Sequence, residues 1–136
     1  MFERGIDEMS TGGEASEVRL PLTPAVFHIL LALADGERHG YSIMQEIAAQ
    51  TEGKLRIGPT TLYRSIKRML EDGLIEETEE RPDPALDDER RRYYRLTALG
   101  LQVTQAEVQR LAQAVEVARK KPLLGDAAIK PMFGGA

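Results

Sequence analysis

Residues 58–73 read GPTTLYRSIKRMLEDG, and this stretch decides the fold of the chain. The proline near its start and the Asp-Gly pair at its end predict a helix that runs to about Glu71. On a helical projection, the leucine, isoleucine and methionine side chains fall on one side, whereas Thr60, Arg64 and Lys67 fall on the opposite side. One face of this helix is therefore predicted to be core, and the other to be an exposed cationic and hydroxylated surface.

Two β-strands are predicted after this helix. Residues 74–79 follow a glycine and fit a short strand, and residues 92–97 favour the extended state because they contain two tyrosines and a leucine. Tyr93 and Tyr94 point to opposite sides of their strand, so one of them is expected in the core. Residues 81–89 between the strands are rich in proline and aspartate and are expected to be exposed. The third helix is therefore followed by a hairpin.

Two further helices are predicted upstream. A threonine that can cap a helix precedes Pro24, and an Asp-Gly pair at residues 35–36 ends this first helix. A second helix fits residues 41–50, where apolar residues recur at helical spacing. Residues 1–19 show no such period and are expected to form a disordered leader. The helices and the hairpin together predict one folded domain over residues 20–97.

A long helix is predicted after the hairpin. Its apolar residues recur every seven positions, with one more in a companion position: Leu101, Val108, Leu111 and Val115. About 23 residues at ~1.5 Å each make a rod of roughly 35 Å, which is long for so small a domain. The stripe predicts a dimerisation helix over residues 98–121, with packing against the same chain as the alternative. Residues 122–136 lack a period and are predicted to form a tail.

The composition excludes several classes of protein. The 136-residue chain contains no cysteine, which excludes disulfides, thiolate metal sites and cysteine nucleophiles. Its only imidazoles are His28 and His39, and the sequence has neither a Gly-rich phosphate loop nor a Gly-x-Ser-x-Gly motif. We therefore expect no enzymatic activity, no cofactor and no metal. No apolar run approaches the roughly 20 residues of a membrane span, so a cytoplasmic protein without a membrane partner is expected.

The net charge of −4 hides a segregation of charge along the chain. Residues 54–70 carry five cations and no acid, and residues 90–95 carry four arginines. Residues 76–89 between them hold eight acids and one arginine. Because a phosphate backbone responds to the local patch, the two cationic segments indicate a nucleic-acid partner despite the acidic total.

The order of the elements predicts a mainly α fold with a small β-hairpin (α+β), namely a winged helix-turn-helix domain followed by a C-terminal dimerisation helix. In this architecture the third helix enters the major groove of DNA, and the hairpin, or wing, lies against the flanking backbone. The candidate DNA-binding residues of the third helix are Thr60, Thr61, Tyr63, Arg64, Lys67 and Arg68. The two threonines at the helix start can contact phosphate, and arginine is the commonest reader of guanine edges. Tyr63 lies at the border of the core face. Its side chain can therefore either pack in the core or contact DNA.

Four motifs connect this chain to a known family. They are HGYSIMQEI at residues 39–47, GPTTLY with IKRM within 58–69, EDGLI at 71–75, and RRYYRLT at 91–97 followed by Gly100. With these motifs, residues 22–100 resemble the PadR family of bacterial transcriptional regulators. The single C-terminal helix resembles the smaller subfamily, which dimerises through that helix. The resemblance implies a homodimer that binds a pseudo-palindromic operator in double-stranded DNA, usually as a repressor released by a small-molecule effector.

Further candidate contacts lie outside the third helix. His39 and Tyr41 precede a helix that crosses the DNA backbone in this fold, so each can contact phosphate, or instead cap the helix or pack in the core. Arg90 and Arg91 lie at the end of the acidic connection, just before the second predicted strand. We expect them to contact phosphate, whereas the tip of the wing does not contact the duplex. The chain has no tryptophan, so the stacking of flat ligands by the drug-binding branch of the family is not expected here.

A winged-helix module that binds protein instead of DNA is the alternative function. The overall acidity favours it, whereas the basic face that carries Arg64 and Lys67 disfavours it. The two functions differ in their dependence on salt, because DNA binding through several phosphates weakens steeply as the salt concentration rises.

Overall fold

Four helices and a small antiparallel sheet form the part of the chain that the structure, a computed structural model, describes, namely residues 19–78 and 92–123. In chain order these elements are α1 (Pro24–Ala32), β1 (Arg38–His39), α2 (Gly40–Gln50), α3 (Pro59–Glu71), β2 (Ile75–Glu77), β3 (Tyr93–Leu96) and α4 (Ala98–Arg119). The sheet has the order β1-β3-β2, and both pairings are antiparallel. The predicted fold class is confirmed: three helices are followed by a wing and a long helix.

Side-chain caps determine where three of the helices begin. Thr23 caps α1, His39 caps α2 and Thr97 caps α4, and each accepts the backbone N–H of the residue three positions further on. By contrast, α3 begins after Gly58, which offers no side-chain acceptor. The cap position of α3 therefore supplies no side-chain acceptor to the N–H groups of the first turn.

The core lies where α1, α2 and α3 meet the sheet. Its buried residues are Ile29, Leu30, Ala32, Leu33, Ile43, Ile47, Ile57, Leu62, Ile66, Met69, Leu74, Ile75 and Tyr94. The contribution of α3 is the apolar face predicted from the sequence, since Leu62, Ile66 and Met69 are at most 2% exposed. Burying one such side chain contributes roughly 1.5–3 kcal/mol. This face therefore fixes the orientation of α3 and leaves the opposite face in solvent.

The sheet contains one strand that the sequence did not predict. β1 comprises only Arg38 and His39, which pair with Tyr94 and Tyr93 of β3. A strand of two residues has no alternation of polarity by which a sequence could indicate it. β2 and β3 lie within the two predicted strands. As expected, one tyrosine of β3 is core: Tyr94 is buried, whereas Tyr93 is half-buried.

Arg38 connects the end of α1 to α2 through hydrogen bonds and an ion pair. Its guanidinium donates to the carbonyl of Ala32 at 2.8 Å and to the hydroxyl of Ser42 at 3.0 Å. It also pairs with the carboxylate of Glu46 at 3.3 Å. α1 ends at Ala32, a few residues before the Asp-Gly pair that the sequence indicated as its end, and the arginine satisfies the carbonyl of that last residue.

α4 is anchored to the domain through its first turn. A Cβ atom on Gly100 would overlap the carbonyl oxygen of Leu74 and would lie 3.0 Å from its carbonyl carbon, so glycine is required for this close approach. The hydroxyl of Thr97 donates to the carbonyl of Gly73 at 2.6 Å. The start of α4 is thereby fixed against the turn that follows α3.

Only the N-terminal half of α4 packs against the domain. Thr104 and Glu107 are buried there, and Val103 packs against the core. Residues 112–117 are exposed along the whole circumference of the helix. At ~1.5 Å per residue the helix is about 33 Å long, so its C-terminal half extends beyond the domain.

A buried carboxylate joins α4 to the segment before α1. Glu107 accepts the backbone N–H of Leu22 at 3.1 Å and two N–H groups of Arg110 at 2.7 and 3.0 Å. The hydrogen bond from Arg110 lowers the pKa of the Glu107 carboxyl below its ordinary value of 4.5, and this effect outweighs the opposing effect of burial. The carboxylate is therefore charged and satisfied at neutral pH.

Several predicted segments lie outside the described residues. They are the leader up to residue 18, the tail from residue 124, and residues 79–91 of the wing connection, with Arg90 and Arg91. Among the described residues, no helix combines the length and the apolar character needed to cross a membrane.

Candidate nucleic-acid interface

The outward face of α3 is polar and cationic. Thr60, Thr61, Arg64 and Lys67 are all exposed on it. Within residues 19–78 and 92–123, neither Arg64 nor Lys67 forms an ion pair with an acidic side chain. Because no internal acid neutralises them, these two charges are available to an external anion.

Arg68 lies on the same helix but has a partner. Its side chain is 73% exposed and pairs with Asp72 at 3.5 Å, one turn further along α3. An exposed pair of this length is weak, so an incoming phosphate can replace the carboxylate without a large loss. Arg68 therefore contributes charge at the C-terminal edge of the face.

The N-terminus of α3 suits an anion. Gly58 gives no side-chain cap and the first turn contains no acid, whereas Thr60 and Thr61 in that turn are exposed. Free N–H groups and the positive end of the helix dipole favour negative charge at this position. An anion such as phosphate can thus bind where α3 begins.

The loop before α3 adds two cations that sequence reasoning did not assign to the site. The Thr51 hydroxyl accepts the backbone N–H of Leu55 at 3.0 Å and so fixes the loop. Leu55 packs against the core, Ile57 is buried, and Arg56 between them is exposed, as is Lys54. The cluster of positive charge at residues 54–70 was visible in the sequence. That both Lys54 and Arg56 are on the surface follows only from the structure, in which Leu55 and Ile57 point inward.

Tyr63 is half-buried, and its ring covers Gly40 at the start of α2. A Cβ atom on Gly40 would overlap the Tyr63 hydroxyl and would lie 2.8 Å from Cζ and 3.1 Å from Cε1. The ring therefore packs against the backbone of α2 instead of extending from the outward face of α3.

His39 and Tyr41 occupy different environments although they are two residues apart. His39 is half-buried, accepts the backbone N–H of Ser42 through Nδ1 at 3.2 Å, and meets Tyr93 edge-on with ring centroids 5.3 Å apart. Tyr41 is 59% exposed at the first turn of α2. Of the two, Tyr41 presents the larger surface to a partner.

Ion pairs within the wing neutralise part of its positive charge. Arg92 pairs with Glu77 at 2.8 Å, and Arg95 pairs with Glu76 at 2.7 Å, across β2 and β3. Burial raises the pKa of Tyr94 in β3, and the nearby carboxylate of Glu77 raises it further. Two of the four arginines in the cationic segment are thus engaged with acids of the neighbouring strand.

The apolar stripe of α4 lies away from the core. Leu101 is 47% exposed, Val108 43% and Val115 37%, and Leu111 beside them is half-buried.

No group of histidine and acidic side chains among the described residues is arranged to hold a metal ion. The described surface therefore offers a cationic face and an apolar stripe.

Sequence comparison identifies the family. The sequence model of the Transcriptional regulator PadR-like family matches residues 29–106, which is more than half of the chain. The chain belongs to this PadR-like family. The membership confirms the resemblance carried by the four motifs, and with it the prediction that the protein is a transcriptional regulator and not an enzyme.

Three individual proteins are similar to this chain. The PadR-like chain is 32% identical over 89 residues to an uncharacterized protein of Lysinibacillus sphaericus, covering 65% of this chain and 79% of that one. A transcriptional regulator from Clostridium thermocellum superimposes with a TM-score of 0.59 at 27% identity, covering 71% of this chain and 87% of that one. Bacillus subtilis PadR, solved in complex with operator DNA, has the same fold at 17% identity, with a TM-score of 0.55 and coverages of 72% and 60%.

Proposed function

We propose that this PadR-like chain binds double-stranded DNA through α3, which enters the major groove. The observation that carries the proposal is the outward face of α3, where exposed Arg64 and Lys67 have no acid partner among the described residues. Arginine and lysine on such a face match the acceptors of guanine and the charge of phosphate. The solved complex of Bacillus subtilis PadR with operator DNA supports this function through the shared fold.

Each residue of the face has a proposed role. Arg64 reads a base edge, and Lys67 and Arg68 contact phosphate. Thr60 and Thr61 bind a phosphate at the N-terminus of α3 through hydroxyl and backbone N–H groups.

Residues outside α3 fix the position of the duplex. Tyr41 at the start of α2, and His39 beside it, contact the backbone of the DNA. Arg90 and Arg91 of the wing act through charge on the flanking phosphates. These contacts carry little sequence information and hold α3 in register.

The protein acts as a homodimer in this proposal. Residues 20–97 form the DNA-binding domain, and residues 98–121 form a dimerisation helix. The interface is formed by the stripe on α4: Leu101, Val108, Leu111 and Val115. A symmetric dimer presents two copies of α3, which matches a pseudo-palindromic operator.

We further propose that the dimer is a cytoplasmic repressor that a small-molecule effector releases from its operator. Mapping the DNA that the protein protects upstream of its own gene tests the DNA-binding function. Repeating the mapping with candidate small molecules tests release by an effector.

A salt titration separates DNA binding from the alternative of a protein-binding module. Binding through several phosphates weakens by a steep power of the salt concentration, with a slope of about −0.9 for each phosphate neutralised. If no DNA is protected, or if the slope is near zero, the outward face of α3 serves a protein partner instead.

A further inference from the structure

Tyr63 lies where three elements of the domain meet. The residue belongs to α3, and its ring covers Gly40 at the start of α2. It also lies near the hydroxyl of Tyr94 in β3, where it contributes to the raised pKa of that group after burial and Glu77. A single aromatic ring therefore contacts or adjoins α2, α3 and the wing.

Gly40 is shaped to receive this ring. The residue is buried, and any side chain would begin with a Cβ atom 2.8 Å from Cζ of Tyr63. Its backbone does not have a positive φ. The glycine is thus favoured by space and not by backbone conformation, because a Cβ atom at this position requires the end of the Tyr63 side chain to shift.

The residue before Gly40 continues the connection into the wing. His39 pairs with Tyr93 along the backbone of β1 and β3, and its ring meets the ring of Tyr93 edge-on at 5.3 Å. Residues 39–40 therefore contact α3 on one side and a wing strand on the other.

We propose that Tyr63 is a positioning residue whose ring, seated on Gly40, sets the orientation of α3 relative to the wing so that both reach one DNA duplex together. The inference rests on the proposed DNA-binding function. It assigns Tyr63 to packing, one of the two roles that the sequence left open. It also gives the glycine between His39 and Tyr41 a role in DNA binding without any contact to DNA.

A double-mutant cycle on the mapped operator tests the inference. Gly40→Ala places the overlapping Cβ at a buried position that DNA cannot reach. We expect the operator affinity to fall on the order of tenfold, and the salt slope to fall by about one unit because the wing loses a phosphate contact. Tyr63→Leu removes the ring that the Cβ would strike. The Gly40→Ala/Tyr63→Leu variant should therefore lose clearly less affinity than the two single losses combined.

Tyr63→Phe separates positioning from contact. It keeps the ring on Gly40 and removes only the hydroxyl, so its operator affinity should stay within about twofold of the parent. Ile29→Val is the stability control, because it removes one buried methyl group without adding an atom beneath Tyr63. It should lower the thermal midpoint and leave the salt slope unchanged.

Additive losses in the cycle, parental affinity of Gly40→Ala, or a Tyr63→Phe variant as weak as Tyr63→Leu would each overturn the inference. If Gly40→Ala does not fold, the difference between Tyr63→Phe and Tyr63→Leu decides alone. A parent protein that shows no salt-dependent DNA binding contradicts the proposed function itself. A parent that binds while the cycle is additive contradicts only the positioning role.

Discussion

The outward faces of α3 and α4 differ in chemistry, although the domain leaves both of them in solvent. α3 presents Arg64 and Lys67, whereas α4 presents Leu101, Val108 and Val115. A cationic face is stable in water by itself and binds an anion when one is present. An apolar stripe gains free energy only when another apolar surface covers it. We therefore propose two kinds of partner, a polyanion for α3 and a second copy of the chain for α4.

The largest effect is expected on α4. Val108→Asp places a charge in the middle of the stripe, and a symmetric interface buries it twice. We expect a monomer whose operator affinity falls by about 10²–10⁴-fold, because two half-sites are no longer bound together. Sedimentation at micromolar concentration and operator titration measure both effects.

Gln109→Asp is the matched control for that variant. It adds the same charge at the next position, which is exposed and turned away from the stripe by about one quarter of a helical turn. It should leave the dimer intact. If Val108→Asp remains a dimer, the segment from Leu20 to Phe27 carries the interface and the stripe on α4 does not.

On α3, the next largest effect distinguishes two cations. Arg64→Ala should cost about 1–3 kcal/mol of operator binding and relax the preference at one base pair. Lys67→Ala should weaken all sequences to a similar degree and reduce the salt slope by about one unit. Titrations against the operator and single-base variants measure the difference. If both variants bind as the parent does, α3 is not the recognition helix.

The inner face of α4 gives a smaller, pH-dependent effect. Because the folded state lowers the pKa of Glu107, the ionised carboxylate stabilises the fold above the unfolded pKa of 4.5, and this stabilisation is lost as the pH falls through the lower, folded pKa. Glu107→Gln should thus reduce the free energy of unfolding by about 1–2 kcal/mol at neutral pH. Urea unfolding should show the two proteins converging as the pH falls below 4.5 and through the lower, folded pKa. A gap that persists unchanged there would contradict a role for the charge.

At the wing we expect a change in salt dependence without a change in sequence preference. Replacing Arg90 and Arg91 by serine should reduce the salt slope by up to about two units, with the sequence preference kept. An unchanged slope would assign these side chains to pairs with Asp87, Asp88 or Glu89. Titration of the operator and of unrelated DNA over a range of salt concentrations measures the effect.

Local patterns in the sequence predicted the elements well. The period of α3 placed Leu62, Ile66 and Met69 in the core and Arg64 and Lys67 on the surface, because the side chains of a helix repeat every 3.6 residues whatever surrounds it. The helix cap at Thr23 and the order of three helices before a hairpin were also predicted. Both depend on residues that are close together in the chain. The cationic outward face of α3 was predicted for the same reason.

The contacts between elements could not be predicted from local patterns. β1 was missed because its pairing with β3 joins residues more than fifty positions apart. The hydrogen bond between Glu107 and the N–H of Leu22 spans 85 positions. No local period indicates such contacts, since they depend on where the elements lie after packing.

By itself, the sequence determined the helices, the wing, the charged face and the apolar stripe, since each depends on residue types at fixed local spacing. Only the tertiary structure decided that Tyr63 covers Gly40, that Gly100 lies against the carbonyl of Leu74, and that Arg56 and Lys54 reach the surface. The physical reason is close packing. Whether a side chain points to a partner or to a neighbouring backbone depends on the space that distant segments leave for it.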